Sequence, residues 1–500
     1  MRNSFTALVV SLCALVVGVA PVAAAPHEGG SVASESVCPF PLTRQNRPVA
    51  PPFAPGETAT FVDPTVVVEG AENVRVSQKD YIAPFARLIA EGGDDDDDDG
   101  ADAKGGICIE ESSNVQDNTL LKTDEDGSIH VGEEAILAHG AMMVAEERKV
   151  SIADSFACEP GTHGFPASGT HPDMLAQRPG ETNGELAARR GRQALANALA
   201  GAHAHYECDK VPAFIGFNAL NLSHIEDGAL LAVAGRLAPG VVLRSGYSSL
   251  PGKSLDTQAE ADNPALGEVR YVTAGDFIFM EGVLHVNECL ARGYVNMFRA
   301  NPSSVRGINL DPGDFHRCEF NDDSEPPSFQ GVRTIVPNPP KNVRIIGDAF
   351  FEDSLARVLE NISDNTSIRA DEGEPFEFGQ NVRWGFGTTF HALEPSVEDP
   401  EVGVRVQADA VVGRRVVIHG GGRRARSGGG PDDRPTELDP GVVVEPWAVI
   451  FRSDVGSNSH VGYKAVLVAY DNGETTEQIP DRCVKFTETP PGACAYYVEW

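Results

Sequence analysis

Apolar side chains recur at every sixth position in several stretches of this chain. Val76, Ile82 and Leu88 form one series, Ile109, Val115 and Leu121 a second, and Val131, Leu137 and Met143 a third. Two more follow far downstream: Phe378, Trp384 and Phe390, then Val406, Val412 and Ile418. Gly132, Gly379 and Gly413 each directly follow a series member. A helix stripe repeats every three to four residues and a half-buried strand every two, so a period of six fits neither. It fits short strands that each turn one aliphatic residue inward and then bend round a corner. Three such strands close one triangular coil of a parallel β-helix. Stacked coils then bury a continuous aliphatic column.

Interruptions of this pattern predict the domain boundaries. Residues 1–25 carry Arg2, an apolar run and Ala23-Ala24-Ala25, which reads as a secretory signal peptide. Residues 26–54 form an N-terminal extension. A first repeat domain spans 55–300, with an insertion at about 145–208 whose Ala- and Arg-rich part, 185–204, is expected to be helical. The coil pattern fades after Val241, and residues 276–299 read as a strand and then a closing helix. Residues 301–341, rich in Pro, Asp and Ser, read as a linker. A second repeat domain spans 342–500, with a Gly- and Arg-rich loop at 420–440.

Composition narrows the functional classes. The chain has 500 residues and a net charge of -33, which argues against nucleic acid as a partner. No run after the leader is long and apolar enough to span a membrane. Eight cysteines follow the leader, an even number that favours disulfides in an exported protein. Cys158 with Cys208 would close an inserted segment, and Cys483 with Cys494 would make a local pair, but sequence does not set the connectivity. The acidic run at 94–99 reads as a solvated loop, with loose calcium binding the lesser alternative. Asn221, Asn361 and Asn365 head glycosylation sequons.

The candidate chemistry lies in three histidines. His391 directly follows Phe390 and His419 directly follows Ile418, so both occupy equivalent corners of stacked coils and can converge on one ion. His139 lies two past Leu137, on another face. His163, His171, His203 and His205, in the insertion, are rival ligands. Each histidine on its own could instead be a plain surface side chain.

Longer motifs carry a resemblance. Phe61-Val-Asp-Pro-Thr-Val, Ser113-Asn-Val-Gln-Asp and Val131-Gly-Glu-Glu-Ala-Ile-Leu-Ala-His139 resemble the gamma-class carbonic anhydrases. So do Ser254-Leu-Asp-Thr-Gln-Ala-Glu-Ala-Asp, Val286-Asn-Glu-Cys-Leu-Ala-Arg-Gly, Ser367-Ile-Arg-Ala-Asp-Glu-Gly-Glu-Pro and Phe390-His-Ala-Leu-Glu394. The likeness covers most of both repeat blocks but neither insertion nor the linker. It implies an all-β fold of two left-handed parallel β-helix (hexapeptide-repeat) domains with an accessory α-helix. It also implies a Zn²⁺ or Fe²⁺ ion between neighbouring β-helices, held by two histidines from one and a third from the other. The second block keeps the pair, His391 and His419, where the first has Lys122 and Val144. The first keeps the single His139, where the second has Arg414. Neither block alone has a full set, so the resemblance implies one composite site.

The remaining positions divide in the same way. By resemblance, Gln116 orients a metal-bound water or hydroxide that hydrates CO₂ reversibly to bicarbonate, and Asn114 holds Gln116. Glu372 and Glu394 carry protons to solvent, and Asn287 positions Glu372. Arg369 and Asp117 form an ion pair across the interface, with Asp371 beside them. The family's threefold assembly implies an oligomer or pseudo-trimer. Two other functions stay open: a catalytically inactive β-helix protein used for binding or assembly, and a hexapeptide acyltransferase.

Overall fold

The computed structural model describes residues 38, 40–50, 59–92, 105–153, 177, 179–202, 211–313, 324–372, 375–392, 403–420, 424–425, 431–432, 436–473 and 475–500. The expected leader, the acidic run at 94–99, Cys158 and Cys208, the four rival histidines of the insertion, and Glu394 lie outside these residues.

The chain is mostly β, with parallel sheets and few helices, in the arrangement of a β-helix. Among the described residues, six large sheets fall into two sets of three. The first set has sheets of 7, 7 and 9 strands and the second has sheets of 9, 7 and 5. Successive strands of one set pass from sheet to sheet and pair in parallel with the strand one coil earlier. All fifteen members of the five sequence series are at most 2% exposed, as an inward column requires. Val76, Ile109, Val131, Ile152, Ile225 and Leu243 stack in register down one sheet of the first set. Phe351, Phe378, Val406, Leu438 and Val455 do so in the second. Each column joins a separate apolar cluster. Truncating one of the isoleucines or leucines to alanine costs about 2–5 kcal/mol, through lost burial and the cavity left behind.

Several expectations change at the edges. Coils do not end near Val241: Val242–Leu243, Tyr247–Ser249 and Ser254–Leu255 add another turn. The stretch 276–299 holds no strand and belongs to one helix, Ala274–Ala300, with the strand Val269–Tyr271 before it. The segment read as a linker supplies Ile308–Asn309 and Ser328–Phe329, which pair with Arg344–Gly347 and Ala349–Phe351. Within the loop expected at 420–440, Arg424–Ala425 pairs with Pro431–Asp432 and Thr436–Leu438 rejoins the coils. The helix expected in the insertion is Asn183–Gly201, opened by a Thr182–Glu185 capping box. Asn221 points into the core with no exposure and donates to the Ser151 carbonyl, so its sequon is closed to modification.

Disulfides join Cys38 to Cys108 and Cys483 to Cys494. Among the described residues no helix is long and apolar enough to cross a membrane.

Candidate metal centre

One sheet of the first set, with Asn114–Val115, Ala135–Leu137 and Ala213–Ile215, faces one sheet of the second, with Ser367–Ala370, Thr389–Ala392 and Val417–Gly420. Ile136, Phe214 and Phe217 of the first share an apolar cluster with Val417 and Val449 of the second. The long helix adds Phe277, Met280, Val283 and Leu284 to the same cluster. The polar groups of the interface are therefore flanked by apolar packing.

Coil register delivers the histidines. Arg369, His391 and His419 are consecutive partners in one ladder, one residue past the inward Ile368, Phe390 and Ile418. In the first set, Ile89, Lys122 and Val144 are partners in the equivalent ladder. Within each set, the ladder puts side by side the two positions that the resemblance pairs. His139 stands at a corner of the opposing sheet. Gly140 follows it at φ 70°, where a Cβ would lie 2.2 Å from the Asn218 side-chain oxygen. Gly420 follows His419, and a Cβ there would lie 1.8 Å from the Gly403 carbonyl oxygen. Both histidines sit where coils approach too closely for a larger neighbour.

Three ring nitrogens converge. His139 Nε2 and His419 Nε2 each lie 3.2 Å from His391 Nδ1, and the candidate ligand atoms of all three lie within 4.8 Å of one another. All three rings are at most 4% exposed. Their outer nitrogens face acceptors. His419 Nδ1 donates to the Gly420 carbonyl at 3.0 Å, His139 Nδ1 lies 3.0 Å from Asp117 Oδ2, and His391 Nε2 lies 2.9 Å from Glu372 Oε1. With their protons on the outside, His139 and His419 aim lone pairs inward.

Burial pushes His139 down to about 4 against the pull of Asp117. Burial, then the charge at His391, holds His419 well below its usual value. Burial and Arg369 act against charge on His391, but Glu372 and Asp371 outweigh them and raise it to about 9. One proton on His391 Nδ1 can serve only one of the two lone pairs facing it. A cation serves all three nitrogens. Nitrogens held at about 2.0–2.1 Å from a tetrahedral ion stand about 3 to 4 Å apart. The donor set, its spacing and its outward-facing acceptors all fit Zn²⁺ or Fe²⁺, with room for a fourth ligand.

The charged residues close round this set. Arg369 donates to both Asp117 and Asp371, and all three are fully buried. Burial would raise the two aspartates, but Arg369 outweighs it and holds both well below the usual carboxylate range. Glu372 is 3% exposed, and its Oε2 has no hydrogen-bond partner among the described residues. A cavity of about 10 Å³ opens beside the histidines, lined by Gln116, Phe214, Phe217, Phe279, Asn287 and Glu372 among others. That is about the space one water needs.

Two expected contacts are absent among the described residues. The Asn114 amide has no hydrogen-bond partner, so it does not hold Gln116. Asn287 Nδ2 donates instead to the Val283 carbonyl at 2.7 Å, and its Oδ1 is unpartnered. Sequence reasoning missed Phe217, whose ring stacks on His139 at 5.6 Å and on His419 at 5.1 Å. Its signal was present: Phe217 lies two past the inward Ile215, as His139 lies two past Leu137.

No protein-family model matches the chain, and no curated protein does. Among solved structures, one match is a hexapeptide transferase family protein from Anaplasma phagocytophilum. It shares 16% identity over 47% of this chain and 93% of that one, with a TM-score of 0.23. A likeness at that level says nothing about the site.

Proposed function

We propose that this protein is a metal-dependent carbonic anhydrase, exported from the cytoplasm, with one active site shared between two left-handed β-helix domains. The convergence of His139, His391 and His419 from opposite sides of a buried interface carries this reading. A Zn²⁺ or Fe²⁺ ion held there supplies acidification of a water, to a pKa of about 7 in the zinc case, and hence a nucleophile at neutral pH.

The chain's own residues supply the rest. Phe214, Phe217 and Phe279 give carbon dioxide an apolar wall. Gln116 orients the attacking oxygen through its side-chain amide. As the C–O bond forms, one C=O electron pair moves onto oxygen, and bicarbonate and one proton result. Glu372, buried with one free carboxyl oxygen, takes that proton, and Glu394 passes it to solvent. Asn287 offers its unpartnered Oδ1 at the cavity wall.

Metal analysis together with carbon dioxide hydration tests this. The expected result is about one zinc or iron per chain and hydration activity, both lost in His391→Ala. A protein that stays metal-free and inactive after anaerobic loading with either ion overturns the proposal and leaves an inactive β-helix.

A further inference from the structure

Tyr294 lies on the long helix Ala274–Ala300, with no exposed surface. Its ring packs against Phe61 at 5.0 Å and Tyr81 at 6.1 Å, both nearly parallel to it. Packing alone would suit phenylalanine here. The hydroxyl does something more specific: it donates to Asp371 Oδ2 at 2.5 Å. Asp371 also accepts from Arg369 Nη1 at 2.9 and 2.7 Å, and its Oδ1 lies 3.5 Å from His391 Nε2. Arg369 turns its other edge to Asp117, and Asp117 Oδ2 lies 3.0 Å from His139 Nδ1. A buried run of close charged contacts, hydrogen-bonded from Asp371 through Arg369 to Asp117, therefore reaches from beside His391 to beside His139. It links one histidine from each side of the interface.

We infer that Tyr294 is a positioning residue for the metal centre: its hydroxyl fixes the Asp371 carboxylate, and through this run of contacts the angle between the His391 and His139 rings. The inference rests on the metal-site reading above. A carboxylate between a guanidinium and an imidazole N–H can swing towards either. The tyrosine hydroxyl pins one oxygen from a third direction, and the surrounding aromatic rings keep the hydroxyl in place. Outer partners of ligating histidines set ring orientation, and losing one costs about 10- to 100-fold in metal affinity. Tyr294 acts one bond further out, so the lower end applies.

The test is Tyr294→Phe in the full chain, which keeps the ring and removes only the hydroxyl. Asp371→Asn and the double variant complete the cycle. The readouts are zinc affinity by chelator competition and the visible spectrum of the cobalt-loaded protein. Tyr294→Phe should weaken zinc binding about tenfold and alter the cobalt band shape. The double variant should lose much less than the product of the two single losses, because both act on one carboxylate. Unchanged affinity and spectrum, or multiplicative losses, overturn the inference and leave Tyr294 as core packing. A wild-type chain that binds neither zinc nor cobalt overturns the metal site itself, and this inference with it. If Tyr294→Phe does not fold, Asp371→Asn must itself alter the cobalt spectrum, and an unaltered spectrum there also overturns the inference.

Discussion

Arg369 donates from Nε and Nη2 to Asp117 Oδ2, at 3.1 and 3.0 Å, across the boundary between the two sets of sheets. Both side chains are fully buried. Attraction between buried charges only offsets the cost of removing them from water when geometry is good, and breaking such a pair strands the survivor. Arg369→Ala leaves Asp117 and Asp371 buried without a cationic partner between them. The expected loss is about 3–5 kcal/mol in chemical denaturation. Arg369→Lys should also destabilise, because a point charge cannot bridge two carboxylates. A loss below about 1 kcal/mol for Arg369→Ala would assign the interface's strength to the Phe217 and Val449 cluster instead.

A metal held by histidines from both sets, as proposed, would join them as well as activate water. Anything that binds only the folded state stabilises it, by about 4 kcal/mol when free ligand exceeds its dissociation constant a thousandfold. Removing metal with a chelator should therefore lower Tm, and restoring zinc should raise it again. His139→Ala, His391→Ala and His419→Ala should each abolish the zinc-dependent part of Tm. A variant that still responds to zinc as the wild type does would place the binding elsewhere.

Much of this site was legible because a β-helix converts spacing along the chain directly into position. The period of six placed His391 and His419 one past inward residues, and the ladder sets them side by side. The resemblance paired Lys122 with Val144, and the ladder sets these two side by side as well. What stayed hidden depends on contacts between elements rather than on the period. Tyr294 reads as one more apolar position of a helix, and only docking of that helix brings its hydroxyl to Asp371. The final coil of the first set was missed because Ser249 stands in line with Leu231, where the period calls for an aliphatic residue, while Tyr247 two residues earlier fills the core with no exposure. The segment 301–341 hid its strands among prolines and acids, since strands of two residues carry too little alternation to show.

The metal-free protein should be most stable near pH 6 to 7. His139 and His419 have lowered folded values, so they bind fewer protons folded than unfolded. Their contribution is fully present above the unfolded value of about 6.5 and is lost as pH falls. Asp117 and Asp371, also lowered, add a second loss below about pH 4. His391 has the opposite sign. Raised to about 9, it stabilises fully below about 6.5 and stops doing so as pH climbs through 9. Each full proton of difference gives a slope of about 1.4 kcal/mol per pH unit. Denaturant midpoints of chelator-treated protein between about pH 4 and 9.5 check this, and a flat profile contradicts it.

Glu372→Gln separates two roles that one carboxylate combines. Glu372 Oε1 lies 2.9 Å from His391 Nε2, while Oε2 is buried without a partner among the described residues. Glutamine keeps the shape and can turn its carbonyl oxygen towards His391, so a histidine-orienting role should survive largely intact. It cannot take up a proton, and proton transfer by a positioned side chain is worth about 10²- to 10⁴-fold in rate. The expected result is zinc affinity within about tenfold of wild type, with hydration reduced about 100-fold and partly restored by high concentrations of imidazole buffer. Rescue by a small base identifies proton transfer as the lost step, because an external base replaces a missing carboxylate but does not repair a misaligned histidine. Full loss of zinc, or loss of rate with no buffer rescue, would instead make Glu372 a support for His391 alone.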